Sequence, residues 1–136
     1  MVGFVLVSHG GMAEGMVEAI RMITGIEEQL EAVGLYEEDS PEGLMDLVQE
    51  AVKRVDTGDG AILFVDLFGA TPFNSSARLA MTQGDSLEVV CGMNLPMILE
   101  LIMQREGESL AAMVDMAVDT GRNGVMHFEK PPLVNS

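Results

Sequence analysis

The stretch G-A-I-L-F-V-D-L-F-G-A-T-P-F-N, residues Gly60 to Asn74, contains the change from strand to helix that decides the fold. Ala61 to Val65 is an uninterrupted apolar run of strand length, which is typical of a strand buried on both faces of a sheet. Thr71-Pro72 then places a capping residue before a proline, a pattern typical of a helix start. The stretch therefore predicts a buried strand, a short loop and a helix that runs to about Met81.

The same alternation continues along the rest of the chain. It predicts further strands at Phe4–Val7, Leu30–Leu35, Ser86–Cys91 and Val125–Phe128, and further helices at Ala13–Thr24, from Ser40-Pro41 to Val55, from Asn94 to about Gln104, and from Ser109 to about Gly121. Strands that alternate with helices form a mostly parallel sheet covered on both faces. We therefore expect an α/β fold with a doubly wound sheet in the flavodoxin-like order 2-1-3-4, followed by a short C-terminal strand.

Two predicted helices have an apolar face that we expect to pack on the sheet. The face of the first helix consists of Met16, Ile20 and Ile23. The face of the second consists of Leu44, Leu47, Val48, Ala51 and Val55.

The composition is that of an acidic globular protein, which we expect to form one domain over residues 1–136. Apolar residues make up 48% of the chain, and 22 acidic residues against 7 basic ones give a net charge of −15. Such a surface repels nucleic acid and anionic membranes, because phosphate binding needs clustered lysine and arginine. The single Cys91 cannot pair within the chain, and no membrane-spanning stretch or basic secretory signal is seen. We therefore expect a cytoplasmic protein.

Two polar side chains follow neighbouring strands of the predicted sheet. His9 comes just after the first strand, and Asp66 comes just after the third. The carboxyl ends of these strands meet at the switch point, where ligands bind in such sheets. A histidine held by a carboxylate has one ring nitrogen fixed as a donor and the other free as a nucleophile or base. His9 and Asp66 are therefore the predicted catalytic pair.

Glycines and a helix start predict an anion site beside this pair. Gly10 and Gly11 remove side chains next to His9, so that a bulky reactant can approach. At Gly69-Ala70-Thr71, free amides at a helix start and the Thr71 hydroxyl would face the same crevice. The sequence contains neither G-x-x-x-x-G-K-[ST] nor G-x-G-x-x-G, and no basic residue lies in these loops. One phosphoryl group carried on His9 fits this site better than a nucleotide triphosphate does.

Apolar side chains near the same edge indicate a surface for partner proteins. Phe68 lies in the loop after Asp66, and Met93 and Met97 flank the end of the fourth strand. We expect these three residues to form a docking patch. The other histidine, His127, fits an exposed or strand-packing position, and Asn94 fits a helix cap.

Three motifs in order resemble one known family. They are V-S-H-G at residues 7–10, V-D-x-x-G-x-[ST]-P-F-N at residues 65–74, and G-x-N-x-P-M-x-x-E at residues 92–100. Together, over Met1 to about Phe128, the chain resembles the mannose-class enzyme IIA of the bacterial sugar phosphotransferase system. It departs from the usual pattern at Phe68-Gly69-Ala70-Thr71, where other members often have Trp, a second Gly and Ser.

This resemblance implies a function and an assembly. His9 would accept a phosphoryl group from the histidine phosphocarrier protein and pass it to a IIB component, and through IIB to a sugar entering by a membrane permease. Asp66 would hold the ring at Nδ1 and leave Nε2 to be phosphorylated. The resemblance also implies a homodimer in which Val125–Phe128 is exchanged between subunits. We expect no cofactor and no metal.

Three other interpretations stay open at this point. One is the phosphotransferase subunit that serves dihydroxyacetone kinase, whose third-strand loop usually lacks T-P-F-N. Another is a tetrapyrrole metal chelatase, which would need further His or Glu ligands near His9. The last is a non-catalytic module that signals through its phosphorylation.

Overall fold

The structure is a computed structural model that describes residues 1–134. Its centre is a parallel sheet of four strands in the order β2-β1-β3-β4. The strands are β1 (Gly3–His9), β2 (Leu30–Leu35), β3 (Ala61–Val65) and β4 (Leu87–Cys91). The predicted fold class and strand order are confirmed, and the bounds of β2 and β3 are the predicted ones.

Helices connect the strands and cover both faces of the sheet. They are α1 (Met12–Thr24), α2 (Pro41–Val55), α3 (Thr71–Thr82), α4 (Leu95–Gln104) and α5 (Leu110–Asn123), with a short 3-10 turn at Gly84–Ser86 before β4. The hydroxyls of Ser40 and Ser109 and the amide oxygen of Asn94 each accept a hydrogen bond from a first-turn amide. These three predicted caps are confirmed. The helix α1 ends as predicted, with Gly25 in the left-handed region at φ 75°.

The alternating side chains of the strands divide the core into two layers. Phe4, Leu6, Ile62 and Phe64 pack with α1, α4 and α5 on one face. Val5, Val7, Leu63 and Val65 pack with α2 and α3 on the other. All eight side chains are fully buried, which is why residues 4–7 of β1 and 62–65 of β3 are uninterrupted apolar runs.

Two residues of the predicted helix faces are exposed. Ile23 of α1 has 62% of its surface exposed and Leu47 of α2 has 52%. Ala13 and Val52 are buried in their place, because each helix turns a slightly different stripe toward the sheet than its apolar pattern indicates. The remaining buried positions on α2 are Leu44, Val48, Ala51 and Val55, as predicted.

A buried guanidinium fixes the sheet at the end opposite the carboxyl edge. Arg105 is 2% exposed and lies 5.1 Å from the centroid of the Phe4 ring. It donates to the carbonyl oxygens of Glu28 and Gln29, the latter at 2.9 Å. Burial lowers the pKa of Arg105, and the nearby Glu28 charge opposes that shift. The cation thereby ties the chain before β2 to the start of β1.

The chain after α5 does not add a strand to its own sheet. Val125–Phe128 has no regular secondary structure, and Val125, Met126 and Phe128 are each at least 76% exposed. The predicted fifth strand is therefore not formed within a single chain. The exchange of this segment between subunits stays a prediction.

Among residues 1–134, no helix combines the length and the apolar character needed to cross a membrane.

Candidate functional site

The site lies at the carboxyl edge of the sheet, where β1 and β3 end side by side. Pairing between them ends with Val7 opposite Val65, and the Asp66 amide still donates to the Val7 carbonyl at 3.2 Å. Pairing of β1 with β2 continues further and places His9 opposite Leu35. His9 is therefore the last residue of β1 and not a residue beyond it, because β2 holds it in the sheet.

The predicted contact between His9 and Asp66 is confirmed. The ring Nδ1 lies 2.7 Å from Asp66 Oδ2, and the backbone amide of His9 donates to the same oxygen at 2.9 Å. The other carboxylate oxygen accepts from the Leu67 amide at 2.9 Å. The Asp66 side chain is 8% exposed, whereas the His9 side chain is 48% exposed. One carboxylate therefore holds both the ring and the backbone of a histidine whose side chain is about half exposed.

The charge on Asp66 decides which ring nitrogen is free. Burial raises the pKa of this carboxyl, but the hydrogen bonds from the His9 amide and ring and from the Leu67 amide outweigh burial. The net effect lowers the pKa of Asp66, so the group is ionised at neutral pH. A carboxylate can only accept, so Nδ1 must carry the proton in this contact. The neutral ring then has its lone pair on Nε2.

The loop after His9 is held against the end of β2. The Gly10 amide donates to the Leu35 carbonyl at 2.7 Å, and Gly10 has φ 52°. A Cβ at Gly34 would lie 2.4 Å from the Gly10 carbonyl oxygen. Gly34 therefore permits a close approach that a side chain would prevent.

The predicted anion site lies on the loop that joins Asp66 to α3. Gly69 is exposed at φ 87°, and α3 begins at Thr71. The capping position is Ala70, because it is the last residue with extended backbone before the helix. The prediction that Thr71 is the cap is therefore wrong. Ala70 has no side-chain oxygen for the first-turn amides, and Pro72 has no amide hydrogen. The first turn of α3 therefore keeps amides for an acceptor from outside the helix.

Only one residue of the predicted docking patch is at the surface. Phe68 is 74% exposed, and its ring lies tilted against Phe73 with the centroids 4.6 Å apart. Met93 and Met97 are 4% and 3% exposed and belong to the core between the sheet, α4 and α5. The prediction that these two methionines face a partner is wrong. Met93 continues the ladder by donating to the Val65 carbonyl, and Met97 packs against Gly121.

An acidic cleft lies beside His9 and was not predicted from the sequence. Its volume is about 370 Å³, and Tyr36, Glu37 and Asp39 line it together with His9. The Tyr36 hydroxyl donates to Glu14 at 3.2 Å, and the Tyr36 amide donates to Asp39 at 2.7 Å. The sequence could have predicted this wall of the cleft, because in a parallel sheet the residues that follow β2 lie at the same edge as the residues that follow β1.

Other polar residues take no part in this site. His127 is exposed in the segment after α5. Cys91 is half-buried at the end of β4, where burial raises the pKa of its thiol. Within residues 1–134, no three His, Cys, Asp or Glu side chains are grouped so that they could hold a metal ion.

Comparison with known proteins gives a consistent set of relatives. The sequence model of the EIIA-man family, described as "PTS system fructose IIA component", matches residues 3–118. The sorbose-specific EIIA component of the phosphotransferase system (PTS) of Lacticaseibacillus casei is 32% identical over 112 residues, which cover 81% of this chain and 78% of that protein.

A fused relative and a solved structure extend the likeness to nearly the whole chain. The mannose-specific EIIAB component of Escherichia coli (strain K12) is 29% identical over 133 residues, or 97% of this chain. The chain spans 41% of that relative's length. The mannose/sorbose-specific IIA subunit from Enterococcus faecalis superposes with a TM-score of 0.86 at 27% identity, covering 98% of each chain.

Proposed function

This chain belongs to the EIIA-man family, the mannose class of IIA components of sugar phosphotransferase systems, and on that premise we propose that His9 is its phosphoryl acceptor. The observation that carries the proposal is the 2.7 Å contact between His9 Nδ1 and the ionised Asp66. It fixes the proton on Nδ1 and leaves the Nε2 lone pair for attack on phosphorus.

The proposed step moves one phosphoryl group between two nitrogens. The Nε2 lone pair of His9 forms the new N–P bond while the N–P bond of a phosphohistidine on the donor protein breaks, and its electron pair stays on the donor nitrogen. The His9 ring then carries a proton on Nδ1 and the phosphoryl group on Nε2. Asp66 stabilises the positive charge of that ring, and the first-turn amides of α3, with Gly10, Gly69 and Thr71, would bind the phosphoryl oxygens. The reverse attack by a IIB component unloads the ring.

Labelling tests the acceptor directly. Incubated with phosphoenolpyruvate and the general phosphotransferase proteins, the chain should take up one acid-labile, base-stable phosphate on His9. The chain has two histidines, so they form a matched pair of variants. His9→Gln should abolish uptake, and His127→Gln should leave it unchanged because His127 lies outside the site. Mass spectrometry that places the phosphate on His127, Ser8 or Thr71 would overturn the proposal.

The alternatives that share this chemistry differ only in their partner. A subunit serving dihydroxyacetone kinase and a phosphorylated regulatory module would both be labelled on His9. The proposed role in sugar uptake requires in addition that the loaded chain passes its phosphate to a IIB component. Adding a IIB protein to the labelled chain distinguishes these roles.

We further propose that Phe68 is the docking residue for partner proteins. Its ring is 74% exposed on the loop that leads from Asp66 into α3. The chain carries a net charge of −15 and no basic residue in the loops at residues 7–11 and 66–71. A partner with a basic surface around its own phosphohistidine would complement this edge, with Phe68 as the apolar anchor.

Replacing Phe68 tests this docking role. Phe68→Ser should raise the KM for the phosphocarrier protein about tenfold, because an exposed aromatic anchor contributes on the order of 1–2 kcal/mol to such a contact. The rate at saturating carrier should change little. Met81→Ser is the control, since Met81 is 77% exposed near the other end of α3. Equal effects of the two substitutions on KM would contradict the docking role.

We also propose that two copies of the chain associate through the segment after α5. The outer edge of β4 pairs with no strand among residues 1–134. A groove of about 430 Å³ lies beside this edge, lined by Cys91, Gly92, Arg122 and Val125 among others. The exposed apolar side chains of Val125–Phe128 would find a partner edge in a second copy.

A further inference from the structure

We propose that Ser8 is a positioning residue for His9, an inference that rests on the proposed phosphoryl transfer. Ser8 is the residue before His9 in β1, and its side chain is fully buried although it is polar. Its hydroxyl accepts a hydrogen bond from the Ala13 amide at 2.8 Å. It also lies 3.5 Å from the Gly10 carbonyl oxygen.

The bond to Ala13 replaces a missing helix cap. Helix α1 begins at Met12, and its capping residue, Gly11, has no side chain. The Ala13 amide belongs to a fully buried residue, so water does not reach it readily. The Ser8 hydroxyl supplies the acceptor from the strand, five residues earlier in the chain.

The same bond restrains the two glycines that follow His9. Gly10 and Gly11 leave room around the ring, but glycine is also the residue with the greatest backbone freedom. The hydrogen bond from Ala13 to Ser8 closes a six-residue loop that contains His9, both glycines and Met12. The serine therefore fixes the end of β1 relative to the start of α1 while the approach to His9 stays open.

Rigidity of this loop matters because the contact with Asp66 uses the backbone of His9 as well as its ring. Asp66 Oδ2 accepts from the His9 amide at 2.9 Å and lies 2.7 Å from Nδ1. A backbone that moves at residues 8–10 displaces both bonds together. The ring would then spend part of its time away from Asp66, and the proton would no longer be confined to Nδ1. Small misplacements of a reacting group slow a reaction strongly.

The test compares Ser8→Ala with Ser8→Thr and with Ser75→Ala. Ser8→Ala should slow phosphoryl transfer roughly tenfold under conditions in which every variant is folded. Ser8→Thr keeps the hydroxyl on a strand residue and should transfer within about twofold of the original chain. Ser75 is another buried serine whose hydroxyl donates to a backbone carbonyl, that of Pro41 at 3.2 Å, and its loss should leave the transfer rate unchanged.

A second measurement does not depend on transfer. The ¹⁵N signals of the His9 ring at about pH 8.5, where imidazoles are neutral, report which nitrogen carries the proton. Ser8→Ala should increase the share of rings protonated at Nε2, and Ser75→Ala should not. Unchanged ring signals in Ser8→Ala, or equal slowing by Ser75→Ala, would overturn the positioning role. If the original chain is not labelled on His9 at all, the proposed function fails, and the ring signals still decide the role of Ser8.

Discussion

Replacing Asp66 by asparagine should slow phosphoryl transfer on the order of a hundredfold or more while the fold survives. The carboxylate accepts three hydrogen bonds, from the His9 ring, the His9 amide and the Leu67 amide. Asparagine has only one oxygen to offer. If that oxygen faces His9, the ring keeps its tautomer but loses the negative charge beside it. If the amide group faces His9, it donates to Nδ1 and favours a proton on Nε2, the nitrogen that must attack.

A matched control separates this effect from the loss of a loop contact. Asp56 accepts from the amides of Gly58 and Gly60 in the loop before β3, at the opposite end of that strand from Asp66. Asp56→Asn should cost some stability and leave the transfer rate nearly unchanged. Near-normal transfer by Asp66→Asn in a rapid-quench measurement would show that Asp66 only holds its loop.

The free energy of unfolding of Asp66→Asn should depend on pH differently from that of the original chain. The pKa of Asp66 is lowered in the folded protein, so its carboxylate stabilises the fold above the ordinary carboxyl pKa of about 3.8. This stabilisation is lost as the pH falls through the lower folded-state pKa. The difference in unfolding free energy between the original chain and Asp66→Asn should therefore narrow in acid, as urea titrations at several pH values would measure.

Removing residues 125–136 should convert the proposed dimer into monomers with poor solubility. Helix α5 ends at Asn123, and the Gly124 amide donates to the Gly121 carbonyl, so the cut leaves the last helix intact. The groove and the unpaired edge of β4 would then face solvent, and open edges promote association without a fixed geometry. Sedimentation velocity over a range of protein concentrations measures both the monomer and its aggregates.

A shorter deletion provides the control for this experiment. Removing residues 131–136 keeps Val125–Phe128 and should leave the dimer intact. A chain without residues 125–136 that sediments as a well-behaved dimer would contradict strand exchange. So would a full-length chain that stays monomeric at the same concentrations.

Much of the fold follows from the sequence because its signals are local. The strand β3 is an apolar run that lies between Gly60 and Asp66, and its bounds are the predicted ones. The bounds of β2 are also the predicted ones, although Glu31 and Gly34 interrupt its apolar pattern. Three helix starts follow from a capping side chain that the structure places on a first-turn amide. The end of β1 was predicted too early because the hydrogen bonds to β2, and not the residue types, keep Ser8 and His9 in the sheet.

The candidate site was predictable only where topology alone decides it. Adjacent ends of β1 and β3 place His9 and Asp66 side by side, so that their side chains are within reach of each other. Met93 and Met97 could face either the core or the crevice, and their apolar residue type does not reveal which; the structure places both in the core. Ser8 has no sequence signal of its own, since its acceptor role exists only because Gly11 leaves the start of α1 uncapped.

The open position of His9 sets a time limit on any phosphoryl group that it carries. Almost half of the side chain faces solvent, so the opening that admits a partner protein also admits water. Under the proposed function, a loaded ring without a partner would be open to hydrolysis, and the loaded form would persist only while it is replenished. The loaded fraction of the protein would then reflect the current balance between phosphoryl supply and loss to a IIB component and to water, and it would preserve no history of either.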